Sequence, residues 1–354
     1  MAIQKITVNN FTVFKKMEIE FCSGINILIG ENGTGKTHLL KLLYAAYLAR
    51  VDNSFSLNSV FGDNFDFEAT VTNVITDEVS IMKGIPRDVT IGSVHRAFFQ
   101  SDDGKIEEAF FHLEDGSVEE AYFQAEEDSD SKASVVSHKP FEAVFIPVKD
   151  MLTHSKGLLA MSKKYSKEMP FDKTLLDIIE KASQWKVDNV PDLAKSILPL
   201  LEKEIDGKVL YEKDMFFVVK HRGKKVSFSL EAEGFKKLGL IWQLLMNESI
   251  TKNTVLLWDE PDSNISPKLT PTIVKILLEL SKHGVQIFIA THDYNLMKYF
   301  SMSRKNSDQV AFYSLFKTEN GVAYEQGDDY DLLDRNPIVE ANIKLVEDNI
   351  DGIY

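Results

Sequence analysis

The chain has a single cysteine, Cys22, among its 354 residues. One thiol excludes an internal disulfide framework and a thiolate-bound metal cluster, and it is typical of a reducing compartment. Long apolar runs are also missing, since stretches such as 255–258 and 285–290 are strand-sized and far below the ~20 residues of a membrane span. The opening segment 1–11 alternates polar and apolar residues and lacks the apolar core of a signal peptide. These absences predict a cytoplasmic protein with no membrane partner.

Basic residues are in the minority, with 40 Lys and Arg against 54 Asp and Glu and a net charge of −14. This balance excludes a surface that is basic throughout and holds nucleic acid non-specifically, although it leaves room for a local basic groove. The hydrophobic fraction is 44% and the charged fraction 27%, so a chain of this length can bury a large core. We expect one globular protein of one large or two ordinary domains.

What the chain does contain is a complete phosphate-binding loop, Gly-Glu-Asn-Gly-Thr-Gly-Lys-Thr, at residues 30–37. Gly33 and Gly35 allow successive backbone N–H groups to curl around phosphates, while Lys36 reaches the β and γ oxygens and the Thr37 hydroxyl ligates Mg²⁺. The loop also delivers the phosphates to the positive end of the helix that follows. The candidate nucleotide-binding residues are Gly30, Glu31, Asn32, Gly33, Thr34, Gly35, Lys36, Thr37 and His38.

Strands and helices alternate around this loop, which predicts a parallel sheet covered on both faces. The predicted strands are 3–8, 14–21, 25–29, 141–147, 255–258 and 286–290, with a hairpin of 215–220 and 225–230 that turns at 221–224. The predicted helices are 37–50, 234–246, 267–283 and 294–300, with a helical stretch from 151 to 205. Residues 53–137 read as a β meander with turns at 102–105 and 114–117, and 128–134 as a flexible loop.

Acidic side chains follow a second buried strand, 255–258, as Asp259 and Glu260. A carboxylate at the carboxyl end of a parallel strand lies where ligands bind, so Asp259 is expected to reach the Mg²⁺ held by Thr37. The next residue, Glu260, is placed to hold the attacking water and accept its proton. His292 follows the strand 286–290 and is expected at the same edge, facing the γ-phosphate.

Four segments in this order, 30–37, 230–238, 256–261 and 290–293, resemble those of the ABC-type ATPases. Within that class, the chain looks most like the ATPase half of the OLD (overcoming lysogenisation defect) proteins and their stand-alone relatives, which are cousins of the SMC and RecF heads. The resemblance implies an α/β, ABC-type P-loop NTPase fold with a mixed β lobe, a RecA-like parallel-sheet core and an inserted helical lobe. The whole chain, 1–354, would be a single ABC-type ATPase domain. Its sub-regions are 1–150 (the N-terminal core with the phosphate loop and the meander insertion), 151–206 (the helical lobe), 207–310 (the core that carries the signature, the paired acids and the histidine) and 311–354 (a C-terminal extension).

The resemblance also implies a nucleotide sandwich, in which ATP lies between two copies of the chain. Gly234 would match the second glycine of the signature segment, and 262–264 the loop between subunits. The chain departs from the family at Ala232, where a serine is usual, and at Glu233, which replaces the first glycine. The glutamine of the loop that links the two lobes is not identified, and Gln100 is a poor candidate. Asn10, Phe11 and Phe14 are weaker candidates for the adenosine side of the pocket, with core packing as the alternative.

The leading hypothesis is a cytoplasmic ATPase that dimerises on ATP, with Glu260, His292 and Lys36 as catalytic residues. It would act with a separately encoded effector, a nuclease or toxin, in anti-phage defence. The alternative is a RecF- or SMC-like ATPase that acts directly on DNA. We expect neither a self-contained nuclease, because only about 50 residues follow Phe300, nor a transporter subunit, because of the long meander and the altered signature.

Overall fold

The computed structural model describes residues 3–51, 58–61, 67–74, 95–100, 106–111, 118–125, 132–137, 141–165, 171–350 and 352. The strands in these ranges are β1 (Ile3–Phe11), β2 (Phe14–Glu20), β3 (Ile25–Gly30), β4 (Phe67–Val74), β5 (His95–Gln100), β6 (Ile106–Phe111), β7 (Val118–Ala125), β8 (Lys132–Ser137), β9 (Glu142–Ile146), β10 (Gly207–Glu212), β11 (Met215–Lys220), β12 (Lys225–Ser227), β13 (Thr254–Asp259), β14 (Gln286–Thr291), β15 (Val310–Thr318) and β16 (Gly321–Gly327). The α-helices are α1 (Lys36–Val51), α2 (Asn58–Phe61), α3 (Leu158–Lys164), α4 (Lys173–Ala182), α5 (Leu198–Ile205), α6 (Glu233–Met246), α7 (Thr270–Lys282), α8 (Tyr294–Ser303) and α9 (Pro337–Ile350).

The central sheet has the strand order β16-β15-β3-β14-β13-β9. Five of these strands run parallel, and β16 pairs antiparallel with β15 at one edge. In β3, β13 and β14 every residue is buried, as expected of parallel strands covered on both faces. Because the five strands are parallel, their carboxyl ends converge on one edge, which includes the residues after β3, β13 and β14.

A second, antiparallel sheet with the order β2-β1-β8-β7-β4 covers one face of the central sheet. The helix α1 lies between the two sheets, and its side chains share a core with Leu28 of β3 and Phe288 of β14. Most of α1 is therefore buried on all sides and has no polar face.

The other face of the central sheet is covered by α6, α7 and α8, which share one hydrophobic core with the helices of 151–206. The helical lobe is therefore continuous with the central sheet's core. It is also tied to α1, since the Lys41 ammonium lies 2.9 Å from Asp172 and the Tyr44 hydroxyl donates to Asp177 at 2.9 Å. Asp172 is in addition the N-cap of α4, accepting hydrogen bonds from the backbone of Thr174 and Leu175.

The predicted elements of the central sheet are confirmed, with changes at their ends. The second arm of the predicted hairpin is wrong beyond residue 227, because 228–230 form a 3-10 helix whose N-cap is Ser227. Helix α7 begins at Thr270 and not at 267. Residues 132–134 of the predicted flexible loop pair as part of β8 with β1 and β7, whereas 128–131 and the predicted turns 102–105 and 114–117 lie outside the described residues.

Three features were not predicted. The strand β10 adds a third strand to the 215–227 hairpin. Residues 310–327 form β15 and β16 and so extend the central sheet on the far side of β3. The helix α9 follows them, and only its first turn packs against the core, through Ile338 and Val339.

Candidate active site

The phosphate loop lies between the carboxyl end of β3 and the start of α1. Gly33 and Gly35 have φ of 77° and 83°, in the left-handed region that side chains with a Cβ rarely adopt. Gly35 is also packed closely, since a Cβ there would lie 2.3 Å from Cζ of Phe14. Both glycines are thus required by the backbone, and Phe14 braces the loop from the neighbouring β1–β2 hairpin.

Lys36 is buried at the base of this loop. Its ammonium donates to the carbonyl oxygens of Gly30 at 2.6 Å and Glu31 at 2.9 Å. Burial lowers the pKa of Lys36, and the nearby carboxylates of Glu260 and Asp259 oppose that effect. The loop therefore carries a fixed cation at the end of a helix whose N-terminus already favours anions.

Thr37 and Asp259 meet although they lie on different elements. The Thr37 hydroxyl donates to Oδ2 of Asp259 at 2.9 Å. Asp259 ends β13, is only 4% exposed, and has its pKa raised to about 6, chiefly by burial. A hydroxyl and a carboxylate side by side are oxygen ligands of the kind Mg²⁺ prefers, so the pair could hold that ion together with phosphate oxygens and water.

Glu260 and His292 also come together at this edge. Oε1 of Glu260 lies 3.2 Å from Nδ1 of His292, and both side chains are partly exposed. The Glu260 backbone has φ of 46°, and its N–H donates to the carbonyl of Ala290 on β14 at 2.9 Å. A non-glycine residue in this conformation is strained, and the neighbouring strand holds it there. The result is a carboxylate that water can reach, beside an imidazole.

The sequence did not predict a role for Lys237. This residue lies on α6, and its ammonium contacts the segment that follows β13 and begins with Glu260. Its ammonium donates to the carbonyl oxygens of Glu260 (2.9 Å), Pro261 (3.3 Å) and Ser263 (2.7 Å), and to the Ser263 hydroxyl (2.8 Å). Burial lowers the pKa of Lys237 to about 8. The contact connects the helix that carries Gly234 to the backbone of Glu260. The only signal in the sequence was a lysine one turn after Gly234.

The first turn of α6 contains Gly234, the glycine that is predicted to belong to the signature segment. Gly234 is buried against α7 and the segment before it, where a Cβ would lie 2.8 Å from Cδ1 of Leu269. The N-cap Ala232 offers no side-chain hydrogen bond. The charge of Glu233 is paired with Lys236 at 2.7 Å, which also lies 3.3 Å from Asp150. The contact of Gly234 with the nucleotide of a second chain stays a prediction.

The parallel pairing of β9 with β13 sets Ile146 opposite Trp258. The residues after β9 therefore lie at the same sheet edge as Asp259, where a loop linking the helical lobe to the site is expected. At this place the chain has Lys149 and Asp150, and no glutamine. Gln100 ends β5, which pairs with β6 and is not a strand of the central sheet.

The remaining predicted residues differ in exposure. Glu31, Asn32 and Gly33 are exposed, whereas Thr34 is buried and its hydroxyl donates to the Glu31 carbonyl at 2.8 Å. The His38 ring packs edge-on against Phe61, with 5.7 Å between ring centroids, and burial lowers its pKa. Phe11 and Phe14 are core residues and Asn10 is exposed, in agreement with core packing for the two aromatic side chains.

No helix among the described residues is long and apolar enough to cross a membrane. Nor do the described residues contain a cluster of three or more His, Cys, Asp and Glu side chains that could hold a metal by themselves.

Comparison with known proteins gives two family matches. Residues 91–298 match the model of the family described as "AAA domain, putative AbiEii toxin, Type IV TA system", and residues 1–174 match an AAA ATPase domain.

Among curated proteins, the DNA replication and repair protein RecF of Proteus mirabilis is 23% identical over 208 residues, covering 56% of this chain and 57% of that protein. RecF of Lactobacillus acidophilus is 39% identical over 70 residues, or 20% of this chain and 18% of that protein. The chain thus matches little more than half the length of these relatives at most.

Among solved structures, an SMC head bound to the C-winged helix domain of ScpA is similar, with a TM-score of 0.50 and 12% identity over 92% of this chain and 98% of that one. This confirms the α/β P-loop fold of the ABC and SMC-head type, with mixed sheets. The chain carries an AAA ATPase domain that is similar in sequence to RecF and in fold to an SMC head. Since the first family model spans more than half of the chain, this protein belongs to that AAA-domain family.

Proposed function

We propose that the chain binds and hydrolyses ATP with Mg²⁺, dimerises head-to-tail on the nucleotide, and passes its open or closed state to a separately encoded effector. The observation that carries the proposal is the meeting of Thr37 with Asp259 and of Glu260 with His292 beside Lys36, at one edge of the sheet. The family's description as a toxin of a type IV toxin–antitoxin system favours a role in defence. Membership of the OLD-like branch is part of the proposal.

In this proposal each side chain has a separate task. Lys36 and the N–H groups of the phosphate loop bind the phosphates of ATP. Thr37 and Asp259 hold Mg²⁺, which would neutralise charge on the phosphates. Glu260 orients a water and accepts its proton, and His292 fixes the Glu260 carboxylate and faces the terminal phosphate.

Dimerisation follows if a second chain completes the site, because ATP favours association only when it contacts both subunits. Gly234 and the segment 262–264 are the proposed contacts with the opposing nucleotide. In the single chain, Lys237 holds the carbonyls of Glu260, Pro261 and Ser263, so a change at the subunit contact would be transmitted to Glu260.

The test is gel filtration of Glu260→Gln, which should bind ATP without hydrolysing it. We expect a dimer with ATP and a monomer with ADP. The matched control is the double variant Lys36→Ala, Glu260→Gln, which lacks the phosphate-binding lysine and should stay monomeric with either nucleotide. A Glu260→Gln protein that binds ATP and remains monomeric would exclude the sandwich, while leaving ATP binding intact.

The effector is tested by co-purification of the intact protein with the products of neighbouring genes. We expect a stable partner whose retention differs between ATP and ADP. A chain that purifies alone with both nucleotides, and whose ATP hydrolysis responds to DNA, would favour the second candidate.

That second candidate, an ATPase acting directly on DNA, is favoured by the similarity to RecF. The exposed basic turn 221–224 of the β11–β12 hairpin is the contact surface proposed for DNA. Lys225 is a poor probe because its ammonium is paired with Glu212 and lies 3.9 Å from the Phe217 ring centroid. Arg222 and Lys224 are exposed, so DNA-stimulated ATP hydrolysis that is lost in the Arg222→Ala, Lys224→Ala variant would support this reading.

A further inference from the structure

The strand β15 lies beside the phosphate loop, although it is far from it in sequence. It pairs parallel with β3, in a register that sets Leu315 opposite Gly30. Gly30 is the last residue of β3, whereas β15 continues to Thr318. The end of β15, including Lys317, therefore runs alongside the loop that follows Gly30.

The Lys317 ammonium comes close to the tip of this loop. Its Nζ lies 3.8 Å from the point that a Cβ on Gly33 would occupy, and no other non-neighbouring atom of the described chain lies within 4 Å of that point. Gly33 and Lys317 are both exposed, so a ligand can reach the tip of the loop beside the Lys317 ammonium. Lys317 thus adds a cation at the end of the loop opposite to Lys36.

The backbone that carries Lys317 is held in place. The β15–β16 turn closes with a hydrogen bond from the Thr318 hydroxyl to the Gly321 carbonyl at 2.8 Å. The N–H of Val322 donates to the carbonyl of Val13 at 3.2 Å, which ties this turn to the β1–β2 hairpin. The same hairpin braces Gly35 through Phe14, so Lys317 and the loop share one support.

The charges around Lys317 point to an anion. Within the described residues no carboxylate lies within 4.0 Å of its ammonium, and its side chain is exposed. The loop that Lys317 approaches leads into the N-terminus of α1 and holds the Lys36 ammonium on the carbonyls of Gly30 and Glu31, and both carry positive potential. The charge of Lys36 is opposed by the nearby carboxylates of Glu260 and Asp259, whereas the exposed ammonium of Lys317 is available to an anion bound at the loop.

From this arrangement we infer that Lys317 is a second phosphate-binding cation, which contacts the phosphate chain of ATP in the loop of its own chain. The inference rests on the proposed ATP binding and extends it to a residue outside the known motifs. Lys36 is buried and fixed, whereas Lys317 is exposed at the rim. Lys317 therefore contributes to affinity and is sensitive to salt, as expected of an exposed charge.

The test is equilibrium binding of ATP and ADP to the full chain, measured by calorimetry at low and high salt. We expect Lys317→Ala and Lys317→Met to weaken ATP binding by about tenfold at low salt and by much less at high salt, with Lys317→Arg close to the wild type. The matched control is Lys344→Ala, which removes an exposed lysine of α9 and should leave the affinity unchanged.

The outcomes separate this inference from the proposed function. If the wild type binds ATP, Lys36→Ala abolishes binding, and both Lys317 variants bind within twofold of the wild type, the inference is wrong and the ATP site stands. The inference is also wrong if Lys317→Ala loses ATP affinity and Lys317→Arg loses it to the same extent. It is wrong as well if the loss of affinity in Lys317→Ala is equal at low and high salt. A wild-type chain that does not bind ATP overturns both.

Discussion

The substitution Asp259→Asn should stabilise the ligand-free protein at neutral pH while removing its response to Mg²⁺. Asp259 is buried at the end of β13, and burial raises its pKa from 3.8 to about 6. The folded chain therefore holds a charge at pH 7 that would be better solvated in the unfolded chain. Asparagine has nearly the same shape, and its carbonyl can still accept the hydrogen bond from Thr37.

The size of the effect follows from the two pKa values. Between pH 4 and pH 6 the folded state binds the proton more tightly than the unfolded state, so the free energy of unfolding falls as pH rises through this window. Above pH 6 the full penalty is present. A shift of about 2 units corresponds to about 3 kcal/mol as an upper limit, and we expect Asp259→Asn to recover about half of it after relaxation of the site.

Thermal unfolding without nucleotide and with a chelator is the assay. At pH 7 the variant should unfold about 3 °C above the wild type. At pH 5 the difference should fall to about half, because the wild-type carboxyl then takes up a proton in the folded state. With ATP and Mg²⁺ the order should reverse, because only the wild type binds the metal and gains stability from it.

The control is Asp334→Asn, which changes an exposed aspartate and should shift the unfolding temperature neither at pH 7 nor at pH 5. A lower unfolding temperature of Asp259→Asn at pH 7 would refute the reasoning, since it would mean that Thr37 and Lys36 stabilise the charged carboxylate by more than burial costs. A gain of the same size at pH 7 and pH 5 would show that the carboxyl does not titrate in this range.

Three further substitutions probe the site. Gly35→Ala should lower the unfolding free energy by about 2–4 kcal/mol, because its Cβ would lie 2.3 Å from Phe14. The control Gly157→Ala, which has φ of 72° but no atom within 4 Å of the added Cβ, should lower it by about 1 kcal/mol. Equal losses in the two variants would contradict the packing argument. Lys237→Met should lower the unfolding free energy by about 2–3 kcal/mol and slow ATP hydrolysis, because the carbonyls of Glu260, Pro261 and Ser263 lose their donor. Unchanged stability in a urea titration would show that water replaces the lysine as the donor. His292→Ala should slow single-turnover ATP hydrolysis by about 100-fold, while the Kd for ATP changes by less than about threefold. A loss of ATP affinity as large as the loss of hydrolysis rate would contradict the role assigned to His292.

The agreement between prediction and structure is best where a functional residue directly follows a buried strand. Asp259 and His292 were predicted to share an edge because each ends an apolar run, and parallel strands bring their carboxyl ends together. The left-handed backbone of Glu260 was not predictable, because nothing in its sequence neighbourhood requires it. It depends on the hydrogen bond to Ala290 on the adjacent strand.

The sequence alone determined the phosphate loop, the paired acids after β13 and the histidine after β14, because local patterns of glycine, charge and apolar runs encode them. Only the tertiary structure revealed Lys237 beneath Glu260 and Lys317 beside Gly33. Both contacts join segments far apart in the chain, and they depend on strand order and register. Those features come from the packing of whole sheets and helices, so no local pattern of residues specifies them.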